Sequence, residues 1–283
     1  MRTSGGFILV SVLGVLAILA GLVGTTALLT RAAVDGIDTA LEEMRLDALV
    51  QAGAELAAYQ LLGLKRPARE VTGQSIRLDD GTVRLFVSDE SGKIDLNGAD
   101  PALLAGAYDA AGLRTLEPRT FAAEVVALRE RLPVQIASSG GGGGSVDRAR
   151  NRDAFRTVGE LQWLPQVSAA DAAVLSAFVT VHNPQGKVNI LAAPDGVLLA
   201  LPGLTPALLD AIRSARQLPA AKAREVLAEG LGSLQQFLSM RSGSAFRLRL
   251  EAQRGSGAAR SAEAVIIRSP TRDAPYLQTE WRP

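Results

Sequence analysis

GGFILVSVLGVLAILAGLVGTTALL, residues 5–29, is the stretch that decides how this chain is built. From Phe7 to Leu29 it carries no charge, and Arg2 and Arg31 bound it. A bilayer core is crossed by roughly 20 apolar helical residues, whereas the apolar region of a secretory signal has about 7–15. The 23 residues of this run therefore predict a transmembrane helix over 7–29. One Arg on each side leaves the positive-inside tendency nearly balanced, so orientation rests on the junction itself. There a polar leader, Met1 to Gly6, ends in Gly and runs directly into Phe7-Ile8-Leu9-Val10.

The remaining chain is globular by composition: 283 residues in all, 47% hydrophobic, long enough for one large domain or two modest ones. Lys and Arg number 30 against 29 Asp and Glu, a net charge of +1, so no global field favours nucleic acid or an acidic partner. With no Cys and a single His there is no disulfide frame, no thiol nucleophile and no material for a His-based triad or a soft metal site. The chain reads as a non-enzyme.

From Arg31 to Leu64 the pattern stays helical, with Leu41, Leu49, Leu56 and Tyr59 near helical spacing and no Pro before Pro67. The anchor is expected to continue outward as one long helix. Residues 76–87 alternate around Asp80-Gly81, which predicts a β-hairpin with a tight turn at that pair. Strand signals return at Phe246, Leu248 and Leu250, then over Ala262 to Arg268 and Tyr276 to Trp281. Between them, Asp100-Pro101, Glu117-Pro118 and Thr205-Pro206 place Pro at first helical positions. Thr157-x-x-Glu160, Ser168-x-x-Asp171 and Ser233-x-x-Gln236 read as capping boxes, giving about seven short helices. The fold class is thus α+β: a long N-terminal transmembrane helix on a small antiparallel sheet, with a large all-helical insertion containing helix-hairpin-helix-like units. The parts are a leader over 1–6, the anchor over 7–29, helix and hairpin over 30–97, the insertion over 98–244, and completing strands over 245–283. A Gly-rich loop at 137–146 splits the insertion. An internal echo links Gly92-Lys93-Ile94-Asp95-Leu96-Asn97-Gly98-Ala99 to Gly186-Lys187-Val188-Asn189-Ile190-Leu191-Ala192-Ala193.

The Gly6-Phe7 junction resembles the type III signal of pilins and pseudopilins; an ordinary signal anchor with a coincidental Gly-Phe is the other reading. The helix-plus-sheet plan, the helical insertion and the doubled Gly-Lys motif resemble the K-type minor pseudopilins of type II secretion systems. The resemblance implies cleavage after Gly6 by the prepilin peptidase and methylation of Phe7. Counted from Phe7, the fifth residue is Ser11, where most pilins carry Glu; K-type subunits are the ones that lack it. It further implies a single-pass protein of the bacterial inner membrane with its globular part in the periplasm, capping the pseudopilus tip. Its partners there are the other minor pseudopilins, proteins I and J, and Leu41, Leu49, Leu56 and Tyr59 are expected to meet their helices.

Two alternatives stand beside this reading: a membrane-anchored helix-hairpin-helix receptor for DNA, and a minor pilin of a type IV pilus. Val197 to Arg213 resembles a helix-hairpin-helix module but offers only Gly203 where two glycines usually let backbone N–H groups approach a phosphate, so no nucleic acid is expected. Some K-type relatives bind calcium through Asp-rich loops, but Arg129-Glu130-Arg131 stands where relatives show an acidic run. No cofactor is expected, with calcium the one open candidate. Asp89, Glu90 and Asp95 read as a solvated turn, and His182 as a turn residue. Residues 241–283 hold eight Arg against four Asp or Glu, read as a solvated sheet face or else a docking surface for an acidic partner.

Overall fold

The structure, a computed structural model, describes residues 4–78, 81–131, 155–228, 230–255, 257–269 and 275–282. The Gly-rich loop expected at 137–146 lies outside the described residues. Helix α1 (Ser4–Ala58) runs unbroken through the apolar segment and on into the globular part, where a π-helical turn (Tyr59–Gly63) ends it. Lys65 at φ 55° and the following Pro67 prevent its continuation. A short helix α2 (Ala68–Val71) leads into a five-stranded antiparallel sheet in the order β1-β2-β7-β8-β9. Its strands are β1 (Ser75–Leu78), β2 (Gly81–Asp89), β7 (Ala245–Arg254), β8 (Ala259–Arg268) and β9 (Tyr276–Arg282).

The inner face of α1 is small, and this sets how closely it lies on the sheet. Val50, Ala54, Ala57, Ala58 and Leu61 are buried against Val83, Leu85, Leu248 and Leu250. A Cβ on Gly53 would stand 2.6 Å from Val83 Cγ1, so glycine is needed for the approach. Gly81 serves the same end rather than the turn expected of it. Its register partner is Leu78, which places it in β2, and a Cβ there would collide with Leu49.

The direction of α1 fixes which end of the sheet faces the anchor. Glu42 pairs with Arg254 and Asp47 with Arg260 at 2.7 Å, so the β7–β8 hairpin lies beside the first globular turns of the helix. The opposite end of the sheet carries Asp89 and Phe246, paired across β2 and β7, and between these points the whole insertion departs and returns. The insertion therefore sits at the sheet end away from the apolar run.

The insertion has its own core, built from Leu103, Tyr108, Phe121, Phe155, Leu161, Ile190, Val197 and Ile212 among others. Ile94 and Leu96, grouped by sequence with the hairpin, belong to this second core. Its helices are α3 (Pro101–Ala110), α4 (Pro118–Arg131), α5 (Ala169–Leu175), α6 (Asp195–Leu199), α7 (Pro206–Ala215) and α8 (Ala220–Ala228). Asp100 caps α3, Thr205 caps α7, and Ser168 with Asp171 completes a capping box on α5. The other two expected boxes mark 3₁₀ turns. Thr157 makes no cap bond before Val158–Trp163, and Ser233 lies inside Gly232–Gln236. Nor is the insertion wholly helical: two-residue strands β3 (Ile94–Asp95) and β4 (Val179–Thr180) pair in parallel, as do β5 (Val188–Asn189) and β6 (Leu238–Ser239). Bridges of two residues are too short to leave an alternating pattern in sequence.

These two bridges explain the internal echo. Ile94 N–H donates to Phe178 O at 3.0 Å and Leu96 N–H to Thr180 O at 2.8 Å; Val188 N–H donates to Phe237 O at 2.9 Å and Ile190 N–H to Ser239 O at 3.0 Å. The insertion thus contains two equivalent units, and they meet reciprocally. A Cβ on Gly92, first in its motif, would lie 2.6 Å from the Ala192 carbonyl carbon, seventh in the other. A Cβ on Gly186 would lie 2.7 Å from the carbonyl carbon of Gly98.

Candidate functional site

Gly6 and Phe7 lie in the first turns of α1, and Ser11 is exposed one turn further on. Among the described residues α1 is the one helix long and apolar enough to cross a membrane, and none of its most apolar stretch is covered by the rest of the chain.

Above that stretch α1 has two faces with different fates. The inner face is spent on the sheet, and this corrects the expected partner contacts. Leu49 is 8% exposed and packs on the chain's own strands, so it is no docking residue. Leu56 is half-buried, whereas Leu41 and Tyr59 are exposed, Tyr59 at 60%. Val34, Ile37, Leu41 and Met44 recur at alternating steps of three and four, all exposed, Met44 at 67%. That spacing forms the apolar seam by which helices pack side by side.

At the far end of the sheet the insertion is joined by a buried polar network. Asp89, which opens the insertion, accepts hydrogen bonds from Ser91 N (2.9 Å), Ser91 Oγ (2.6 Å), Ser242 Oγ (2.6 Å) and Gly243 N (3.2 Å). Four donors from both ends of the insertion thus converge on one carboxylate. Glu90 is fully buried, accepts from the Thr180 hydroxyl and pairs with Arg247 at 3.0 Å and Lys93 at 3.5 Å. Burial alone would raise its pKa, but Lys93 and Arg247 outweigh burial and hold the carboxyl below the ordinary range. Arg247 reaches on to Glu280 at 3.1 Å, whose other oxygen lies 3.2 Å from His182 Nε2. The hydrogen bond to His182, aided by Arg247, brings the Glu280 carboxyl down to about 2.

This network overturns two expectations. Asp89, Glu90 and Asp95 are buried rather than a solvated turn, Asp95 accepting from Asn97 N, Gly98 N and Asn183 N. His182 is not a plain turn residue but ties the insertion to β9. The basic surplus of the C-terminal strands is likewise largely consumed internally. Arg247, Arg254 and Arg260 form ion pairs, and Arg249 lies 4.5 Å above the Phe86 ring. Residue type alone offers no signal that separates a solvated carboxylate from one buried among four donors.

Among solved structures the chain is similar to one from the crystal structure of the GspK-GspI-GspJ complex of the enterotoxigenic Escherichia coli type 2 secretion system. The TM-score is 0.56 at 15% identity, and the match covers 86% of this chain and 97% of that chain. The fold is GspK-like. No protein-family model matches the chain, and no curated protein matches it in sequence.

Within this GspK-like frame the helix-hairpin-helix unit is α6, a turn through Gly203 at φ 78°, and α7. Its two arginines are paired within the chain, Arg213 at the surface and Arg216 half-buried. Arg213 binds Asp195 at 2.8 Å, and Arg216 binds Asp195 at 3.2 Å while donating to Ile190 O and Ala193 O. Asp195 is held below the ordinary carboxylate range by Arg213, with Arg216 assisting. These side chains brace the second unit. Among the described residues no group of three His, Asp or Glu side chains is placed to hold a metal ion.

Proposed function

We propose that this chain is a minor pseudopilin of a type II secretion system, the K-type subunit that caps the tip of the periplasmic pseudopilus and helps start its assembly for export across the outer membrane. The observation that carries this reading is the position of the insertion, at the end of the sheet opposite the apolar helix, in a fold that spans 97% of a chain from a GspK-GspI-GspJ complex. A subunit so built can be added to from below through α1, while its bulk obstructs a further subunit above. Ser11 agrees with this, because without a carboxylate there it cannot pair with a neighbour's amine inside the bilayer. The prepilin peptidase would cut between Gly6 and Phe7 and the new amine would be methylated, leaving the chain in the inner membrane with its globular part in the periplasm. The other minor pseudopilins, proteins I and J, would dock on the outer seam of α1, Ile37, Leu41 and Met44, with Tyr59 further along. This role requires no catalysis, cofactor or nucleic acid.

Co-expression with the two other minor pseudopilins, followed by purification in detergent, tests the reading. The three should copurify, the mature chain should begin at methylated Phe7, and Ile37→Asp with Met44→Asp should lower the yield of complex at least tenfold. An intact Met1, or a complex indifferent to both charges, would overturn it.

A further inference from the structure

The two equivalent units of the insertion place the same motif positions in opposite surroundings. In the first, Lys93 and His182 flank the β3–β4 bridge and meet the buried Glu90 and the half-buried Glu280. In the second, the equivalent positions are Lys187 and Arg241, flanking the β5–β6 bridge. Here they line an open cleft of about 770 Å³ shared with Arg224, Leu238, Ser239 and Met240. Among the described residues no carboxylate lines this cleft, and Lys187, Arg224 and Arg241 have no acidic partner. All three are exposed, and Arg224 is held in place by donating Nε–H to Met240 O at 3.2 Å. Arg213 and Arg216 of the same unit are both paired with Asp195, so unpaired cations are not the rule in this unit.

We propose that this cleft binds an acidic segment of another polypeptide, whose carboxylates take the places that Glu90 and Glu280 hold in the first unit. Three cations lining one concave surface, with no anion beside them among the described residues, form a complementary field for such a segment. Leu238 and Met240 add an apolar, adaptable floor that suits a mixed peptide. No aromatic side chain lines the cleft to stack a base, and it lies at the end of the molecule away from the apolar helix, out of reach of lipid headgroups. The inference stands on the comparison of the two units and not on the role in secretion.

The test is fluorescence anisotropy of a labelled Asp-Glu-Leu-Asp-Glu peptide against the full chain in neutral detergent micelles, with Asn-Gln-Leu-Asn-Gln as the uncharged probe. The acidic peptide should bind at least tenfold more tightly than the neutral one and weaken with added salt. Lys187→Ala and Arg241→Ala, neither of which has a side-chain partner among the described residues, should each weaken it at least threefold. Lys222→Ala, outside the lining, should leave it unchanged. Equal binding of both peptides, no detectable binding, indifference to the two cleft variants, or tighter binding of a length-matched oligodeoxynucleotide would each overturn the proposal.

Discussion

The two units of the insertion share a backbone and differ in what surrounds it. Each opens on Gly-Lys, pairs two residues in parallel with a distant strand that follows a Phe, and turns through an Asx side chain. Asp95 accepts from Asn97 N, and Asn189 accepts from Leu191 N. The first unit then faces the sheet and meets it through buried charge, while the second leaves the equivalent Lys187 and Arg241 exposed. A repeated turn thus carries the geometry, and the partner across from it decides whether the same lysine is structural or available. In the first unit the gain is positional. Buried ion pairs contribute little net stability, yet breaking one leaves an uncompensated charge.

The sharpest way to break this comparison is to remove the buried anion. Glu90→Gln keeps the shape and removes the charge that Lys93 and Arg247 share. Loss of about 3 kcal/mol is expected, at the low end for a broken buried pair. Denaturant unfolding of the full chain in micelles, followed through Trp281 beside Glu280 on β9, would register it as an earlier transition. A change below about 0.5 kcal/mol would mean that the first unit is held by packing alone.

Acid should act on the same network with a smaller effect. The Glu280 carboxyl is drawn from its ordinary value to about 2 by its hydrogen bond to His182 and by Arg247, against the opposing effect of burial. A group whose folded pKa is depressed contributes stability that is fully present above its unfolded value, near 4.5. That contribution is lost as pH falls from there toward about 2. Allowing for solvent screening, the loss is about 1–2 kcal/mol over this window. His182→Ala removes the largest cause and should flatten the acid limb, whereas replacing the exposed Glu225 should leave it as it was.

Much of this fold was legible because its signals are long or local. The apolar run, the alternating strands, Asp100-Pro101 and the Ser168 box each depend on residues close in sequence, and each appears where the periodicity puts it. The doubled Gly-Lys motif was legible too, but not its partners. Phe178-Val179-Thr180 and Phe237-Leu238-Ser239 share almost no spelling with the strands they pair, and two-residue bridges have no period. The candidate site was harder still. Which face of α1 is outward depends on where Gly53 and Gly81 let the helix touch the sheet, and that contact joins residues distant in sequence. The burial of Asp89 and Glu90 depends on Ser242 and Arg247, supplied from the far end of the insertion.

The finest test of the comparison uses one residue type at two equivalent positions. Lys93 is nearly buried, donates to Ser176 O at 3.1 Å and lies 3.5 Å from Glu90. Lys187 is exposed, and only its backbone carbonyl, bound by Asn183 Nδ2 at 2.9 Å, takes part in the fold. Truncating Lys93 removes one of the two cations that keep Glu90 ionised, but Arg247 and the Thr180 hydroxyl remain, so the expected cost is about 1 kcal/mol. Truncating Lys187 removes a solvated side chain from an open cleft, and the expected change is within about 0.5 kcal/mol of zero. Lys93→Ala and Lys187→Ala, unfolded side by side under the same conditions, should therefore separate by roughly the value of one charged contact. Equal losses would mean that both lysines serve the fold alike and that the second unit has no surface to spare. A separation in the expected sense leaves Lys187 free of structural duty, which is the condition a residue must meet to serve a partner instead.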